Sequence, residues 1–149
     1  MTGDVSKPER LTQNRVVKLF KDELGYVYLG DLQDKPDNSN IEVPELSQYL
    51  IRNGYSDSHI NKALDKLQRA ANNHAQDLYR TNEDVYQLLR YGVHVRTEVG
   101  VPTDVVNLID WNNPEKNDFY VAEEVTVYGN HEKRPDVVLY INGIAVAVL

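Results

Sequence analysis

The side chain with the clearest chemical prospects is Asp136, in the run Arg134-Pro135-Asp136-Val137-Val138-Leu139-Tyr140-Ile141-Asn142-Gly143 that continues as an apolar stretch to Leu149. It is the one polar group between a proline and a buried run, so it should stand at a strand end, half in and half out of a core. A carboxylate there suits a hard divalent cation, which takes oxygen ligands. Asn142-Gly143 between two hydrophobic runs signals a hairpin, because both residues tolerate the positive φ that its turn requires. A tight two-residue loop would pair Ile141 with Ile144 and set Asp136 opposite Leu149. A three-residue loop with a bulge would shift the pairing by one, so that Asp136 faces the residue that would follow Leu149. Opposed side chains in an antiparallel pair share a face about 5 Å apart, which suits two carboxylates holding one cation. The plainer alternative is that Asp136 caps the mouth of its strand or pairs with Arg134.

Other candidates are weaker. Gln13, with Glu9 as substitute, could point a polar group from a predicted first helix at the same place; a solvated first turn competes with that reading. Glu123, Glu124, Glu98 and Asp110 lie in or beside predicted strands, and alternation with Val121, Val125 and Val127 assigns most of them to a wet face. His59, His74, His94 and His131 lack metal-ligand spacing. Trp111 reads as a packing residue beside a turn rather than a stacking platform, and Lys66 and Arg69 as helix-surface charges. The chain contains no P-loop, no G-x-G-x-x-G and no G-x-S-x-G, which argues against an NTPase, a dinucleotide enzyme or a serine hydrolase within this segment.

The elements that must position these groups fall into two stretches. Ser6-Lys7-Pro8-Glu9 is a capping box with proline in the first turn, so a helix is expected near Lys7, with Val16, Val17, Phe20 and Leu24 inward and Gly25 at its end. Tyr26 to Leu29 reads as a short extended segment and residues 34–40 as a loop. A second helix carries Leu46, Tyr49 and Leu50 and closes at Asn53-Gly54. A third follows Ser56 or Ser58, with Ile60, Ala63, Leu64, Leu67, Ala70 and Ala71 as its stripe. Thr81-Asn-Glu-Asp84 is expected to cap a fourth, with Val85, Leu88 and Leu89 inward and Gly92 at its end. Then the period changes to that of strands: Val93 to Val95, Val105 to Ile109, Tyr120 to Tyr128 and the final hairpin. Helices followed by antiparallel-looking strands predict an α+β or mixed α/β domain.

At 149 residues the chain has the length of one domain, enough to bury roughly 70% of its unfolded surface. No apolar run approaches the ~18 residues of a membrane span, and the first residues lack the pattern of a signal peptide. The absence of cysteine removes thiolate metal sites and disulfides, as suits a cytoplasmic protein. A formal net charge of −7 repels nucleic acid over long range. Any DNA contact must then be local, metal-assisted or supplied by partners. The last apolar strand lacks a stop signal, which predicts a chain that ends inside a larger domain.

With these residues in view, the chain resembles the N-terminal endonuclease domain of the restriction (R, or motor) subunit of type I restriction–modification enzymes, within the PD-(D/E)xK nuclease superfamily. The similarity covers nearly the whole chain and rests on LTQNRVVKLFKDELGYVYLGD (11 to 31), NSNIE (38 to 42), YGVHVRTEVG with the following LIDW (91 to 111), and above all RPDVVLYINGIAVAVL (134 to 149). It implies a restriction-endonuclease-like fold over residues 1–149: a mixed central β-sheet flanked by helices, with a helical segment at 44–91 and a truncated C-terminal side. Asp136 matches the family's metal-binding aspartate, and Gln13 loosely matches the Glu or Gln that related nucleases carry on the first helix. The Glu-x-Lys that completes the motif would start immediately after Leu149 and is absent, as are the motor's ATP-binding motifs. In such nucleases two carboxylates hold Mg²⁺ at about 2.0–2.1 Å. The cation stabilises charge on the scissile phosphate and activates water, and the lysine adds positive charge there. The resemblance therefore implies that the intact subunit cuts DNA together with modification and specificity subunits, with ATP acting through motor domains outside this chain. The segment alone is expected to bind metal at best weakly, to be inactive, and to self-associate through an open terminal strand. Two other readings remain: a non-catalytic docking domain of the complex with a degenerate motif, and a nucleic-acid-binding relic, which the pI near 5.0 disfavours.

Overall fold

A computed structural model describes residues 6–32, 40–128 and 132–149, with the backbone alone at residues 6, 7, 9, 124–128 and 132–136. In chain order the elements are α1 (Ser6–Lys18), a π-helical turn (Leu19–Glu23), β1 (Val27–Asp31), α2 (Val43–Arg52), α3 (Asp57–Ala71), α4 (Leu78–Tyr91), β2 (Val93–Val95), β3 (Asp104–Val106), a 3₁₀ turn (Pro114–Lys116), β4 (Phe119–Tyr128), β5 (Glu132–Ile141) and β6 (Ile144–Val148). Contacts divide the chain into two compact units, Met1–Asn40 with Asp118–Leu149, and Ile41–Asn117. The first holds a four-stranded mixed sheet in the order β1-β4-β5-β6, the second the β2-β3 pair with three helices. The architecture is α+β.

In the sheet unit β1 runs parallel to β4, while β4-β5 and β5-β6 are antiparallel. The two faces of the sheet carry separate clusters. Val121, Val137 and partly buried Leu139 pack with Val16, Val17, Phe20 and Tyr26 of the N-terminal helical segment. Tyr120, Ala122, Val138 and Tyr140 form the other cluster, with Leu29, Leu32 and Ala145. Each aliphatic side chain withdrawn from water in this way contributes about 1.5–3 kcal/mol. Leu24, expected in the α1 stripe, is 56% exposed. The reason is the π turn: the Leu24 N–H bonds to the Leu19 carbonyl at 3.1 Å, five residues back. That extra residue per turn rotates Leu24 away from the stripe. The predicted capping contacts of Ser6 and Glu9, and the predicted loop at 34–39 apart from residue 40, lie outside the described side chains and residues.

In the helical unit α3 is the centre, touching α2, α4, β2 and β3. Its buried residues Ile60, Ala63, Leu64 and Leu67 follow the expected 3.6 period. Ser56 is the N-cap, its hydroxyl accepting from the His59 N–H at 3.3 Å. In α2, Leu46, Tyr49 and Leu50 are buried as expected. The start of α4 differs from expectation. Asp77 caps it, accepting from the Arg80 N–H at 2.8 Å. Thr81 is instead buried one turn inside, its hydroxyl bonded to the carbonyls of Asn73 and Asp77. An aspartate outcompetes a threonine as N-cap, and both types occur here within one turn. The strand expected to reach Ile109 stops at Val106, because the next N–H, that of Asn107, donates to the Tyr55 hydroxyl at 3.0 Å rather than to a ladder partner.

Candidate functional site

The hairpin that carries Asp136 is built by its turn. Asn142 and Gly143 both take positive φ, 52° and 86°, the combination of a two-residue type I′ turn. Asn142 is fully buried. Its side-chain oxygen accepts from the Asp118 N–H at 2.7 Å and its own N–H donates to the Asp118 carbonyl at 2.8 Å, which clips the turn to the start of β4. Ile141 pairs with Ile144, as a two-residue loop demands. The register does not stay that way. Leu139 pairs with Ala147 but Tyr140 with Ala145, so Val146 is the extra residue of a bulge. Val137 and Leu149 consequently exchange N–H···O=C bonds of 3.3 and 2.8 Å. Asp136 does not oppose Leu149; it faces the next register position on that side and Glu124 of β4 on the other. The shift first associated with a three-residue loop is produced by a bulge inside β6.

The side chains of Asp136, Glu9 and Glu124 lie outside the described residues, so their positions here are positions of the backbone. Gln13 is partly buried on α1. Phe20 and Tyr26 stack edge-on at 5.0 Å, and Tyr26 lies 5.3 Å from Phe119, which pairs with Ile141. Val17 packs with Val137. The helix therefore runs in the same direction as β5, and Gln13, one turn before Val17, lies towards the Asp136 end of the strand. Position 136 has the strand parity of Val138 and Tyr140, whereas α1 covers Val137 and Leu139. The backbone thus brings the two residues to one end of the sheet but not to one face.

Glu123 is the acid that reading by alternation undervalued. It pairs with Val137 on one side and with Asp31 of parallel β1 on the other, and it is half-buried. Burial, then the Glu123 charge and a hydrogen bond to its carboxylate, then the Asp31 charge, raise the pKa of the Tyr28 hydroxyl above its ordinary value. The Lys21 ammonium lies 5.7 Å from the centre of the same ring. A parallel pairing of residues 27–31 with 120–123 leaves no mark in the sequence, which is why this group was missed. Glu98 is exposed, as alternation predicts. Asp110 is half-buried, accepting from the N–H groups of Asn112 and Asn113 at 3.1 and 2.9 Å.

Among the described residues the histidines form no centre. His59 Nε2 lies 2.8 Å from Asp104, and its Nδ1 is 2.5 Å from the Ser56 hydroxyl, which is occupied as the cap of α3. Lys66 is more than a surface charge, since its ammonium donates to the His94 carbonyl and so ties α3 to β2; Arg69 makes an exposed pair with Asp65. Among the described residues no three His, Asp or Glu side chains converge as metal ligands, and no helix is long and apolar enough to cross a membrane.

With this geometry in place, comparison with known proteins is decisive for the family. The family described as Type I restriction enzyme R protein N terminus matches residues 6–149. The chain belongs to that family. In this R-protein N terminus the match runs through both compact units, sheet and helices alike. A protein of Methanocaldococcus jannaschii named as a type I restriction enzyme MjaVIIIP endonuclease subunit is 32% identical over 98 residues. That stretch makes up 64% of this chain and 9% of the relative's length.

Proposed function

We propose that residues 1–149 are the N-terminal part of the endonuclease domain of a type I restriction enzyme R subunit, a single PD-(D/E)xK domain in which Ile41–Asn117 is inserted between β1 and β4. In the intact subunit this domain hydrolyses DNA phosphodiesters with Mg²⁺, in the cytoplasm, within a complex that includes modification and specificity subunits. ATP enters only through motor domains beyond these residues. The observation that carries this reading is the family match extending through the β5-turn-β6 hairpin, whose register sets Asp136 beside Glu124 and one further position on the β6 side.

The donor chemistry fits the metal. A carboxylate at a strand end, with neighbouring register positions on both sides, offers the hard oxygen ligands that Mg²⁺ prefers. Asp136 would hold the ion, and when bound the ion would supply charge stabilisation at the phosphate and acidify a water. Gln13, which α1 brings to the same end of the sheet but to its other face, would orient a phosphate or water from that side rather than hold the ion. Residues 1–149 contain no Glu-x-Lys after Asp136, so this polypeptide by itself supplies one carboxylate and no lysine and hydrolyses no DNA. The terminal strand offers a surface for pairing with another chain.

The test is Asp136→Ala in the intact subunit, assembled with its partner subunits. Plasmid cleavage should be lost while ATP hydrolysis persists. Cleavage at the unchanged rate would overturn the assignment and favour a docking domain with a degenerate motif.

A further inference from the structure

Within the helical unit lies a polar cleft of about 430 Å³, lined by residues from Tyr49 to Asn113 and inside the range of small-molecule sites, roughly 300–1,000 Å³. Three features give it a chemical character. The first is a held aromatic plane. Trp111 donates its indole N–H to the Leu89 carbonyl at 2.8 Å, which fixes the ring while 47% of the residue stays exposed. The second is a cation: the Arg90 guanidinium sits 5.2 Å from the centre of that indole, and among the described residues it forms no ion pair. The third is a set of open hydrogen-bonding groups. Asn107, Asn112 and Asn113 use their backbone N–H groups for the Tyr55 hydroxyl and the Asp110 carboxylate, leaving their side-chain amides unengaged among the described residues.

We propose that this cleft binds a nucleotide. Indole and guanidinium planes are the platforms on which unpaired bases stack, and here the two lie within cation–π distance of each other. The amides and Asp110 match the donors and acceptors of a base edge, as Asn does with adenine and Asp with a cytosine amine. Arg90 is the group for the phosphate, its planar fork suited to bidentate contact. Sequence reading placed Trp111 among packing residues, because neither the Leu89 carbonyl nor Arg90 is near it in the chain. The overall negative charge makes such binding local and weak at high salt. The inference stands on the cleft alone and does not depend on Asp136 or a metal. A free nucleotide and an unpaired nucleotide of single-stranded DNA share this chemistry.

Trp111 is the single tryptophan of the chain, so its fluorescence reports this cleft directly. Residues 1–149 in EDTA are titrated with a deoxyadenosine oligonucleotide and, separately, with deoxyadenosine monophosphate. Saturable quenching is expected. Quenching by both assigns a nucleotide pocket, and quenching by the oligonucleotide alone assigns a single-strand contact. Arg90→Ala should weaken binding about tenfold, in keeping with ~1–3 kcal/mol per stacked base, and Asn112→Ala measurably. Asp136→Ala should bind as well as the parent, which separates this site from the nuclease assignment. Absence of saturable quenching by either probe at low salt overturns the proposal. So does an Arg90→Ala variant, shown to be folded by circular dichroism, that binds unchanged.

Discussion

Gly92 closes α4 where the chain turns directly into β2, and a methyl group there should be unusually costly. Its φ of 85° with ψ of 169° falls in a region almost reserved for glycine, at a cost of about 1–3 kcal/mol for a side-chain-bearing residue. An added Cβ would also stand 2.5 Å from Val105 Cγ1, 2.9 Å from Asn107 Oδ1 and 3.1 Å from the Val106 carbonyl oxygen. The Asn107 amide can swing away, but the carbonyl belongs to the β2-β3 ladder and Val105 is a stiff, β-branched side chain on the same strand. Overpacking of this kind adds about 1–3 kcal/mol. Gly92→Ala should therefore lose about 2–6 kcal/mol, a large part of the ~5–15 kcal/mol that holds a domain. Gly54 is the internal control, with φ 86° and nothing within 4 Å of its hypothetical Cβ, so Gly54→Ala should lose only the backbone part, about 1–2 kcal/mol. Urea unfolding followed by Trp111 fluorescence reports the right unit, because the indole is bonded to α4 itself. With a slope of about 1–3 kcal/mol per molar urea, the Gly92→Ala midpoint should fall on the order of 1–2 M. Equal midpoints for the two variants would refute the close approach of α4 to β3.

Three further outcomes follow from the same contacts. Asn142→Ala removes a buried acceptor from the Asp118 N–H and puts alanine at positive φ, so it should cost about 2–4 kcal/mol in denaturant unfolding; a loss below 1 kcal/mol would mean that the turn is not clipped to β4. Tyr28 should titrate above the ordinary tyrosine value by ¹³C NMR, and Glu123→Gln should bring it back towards that value. Since the folded-state pKa is raised, that contribution to stability is whole below the unfolded tyrosine value of about 10 and fades as pH climbs through the folded one, a fading that Tyr28→Phe should abolish. Asp77→Ala should cost about 1 kcal/mol as the true cap of α4, and unchanged stability would return the cap to Thr81.

What the sequence determined is local. Asn142-Gly143 specified its turn, Ser56 and the Leu46/Tyr49/Leu50 and Ile60-to-Leu67 stripes specified their helices, and the change from helical to strand period placed the α+β class. These outcomes depend on backbone φ and on neighbours within one or two turns, which the chain order itself supplies. Asp136 was marked for the same reason, as an acid at the mouth of an apolar strand. Packing decided the rest. The Val146 bulge, the parallel β1-β4 pair that joins Tyr28 to Glu123, and the Trp111-Arg90 contact all arise from partners brought together across the fold. Such pairings are selected by which surfaces can bury one another without leaving polar groups unmet, and that competition is settled only once the whole chain has condensed.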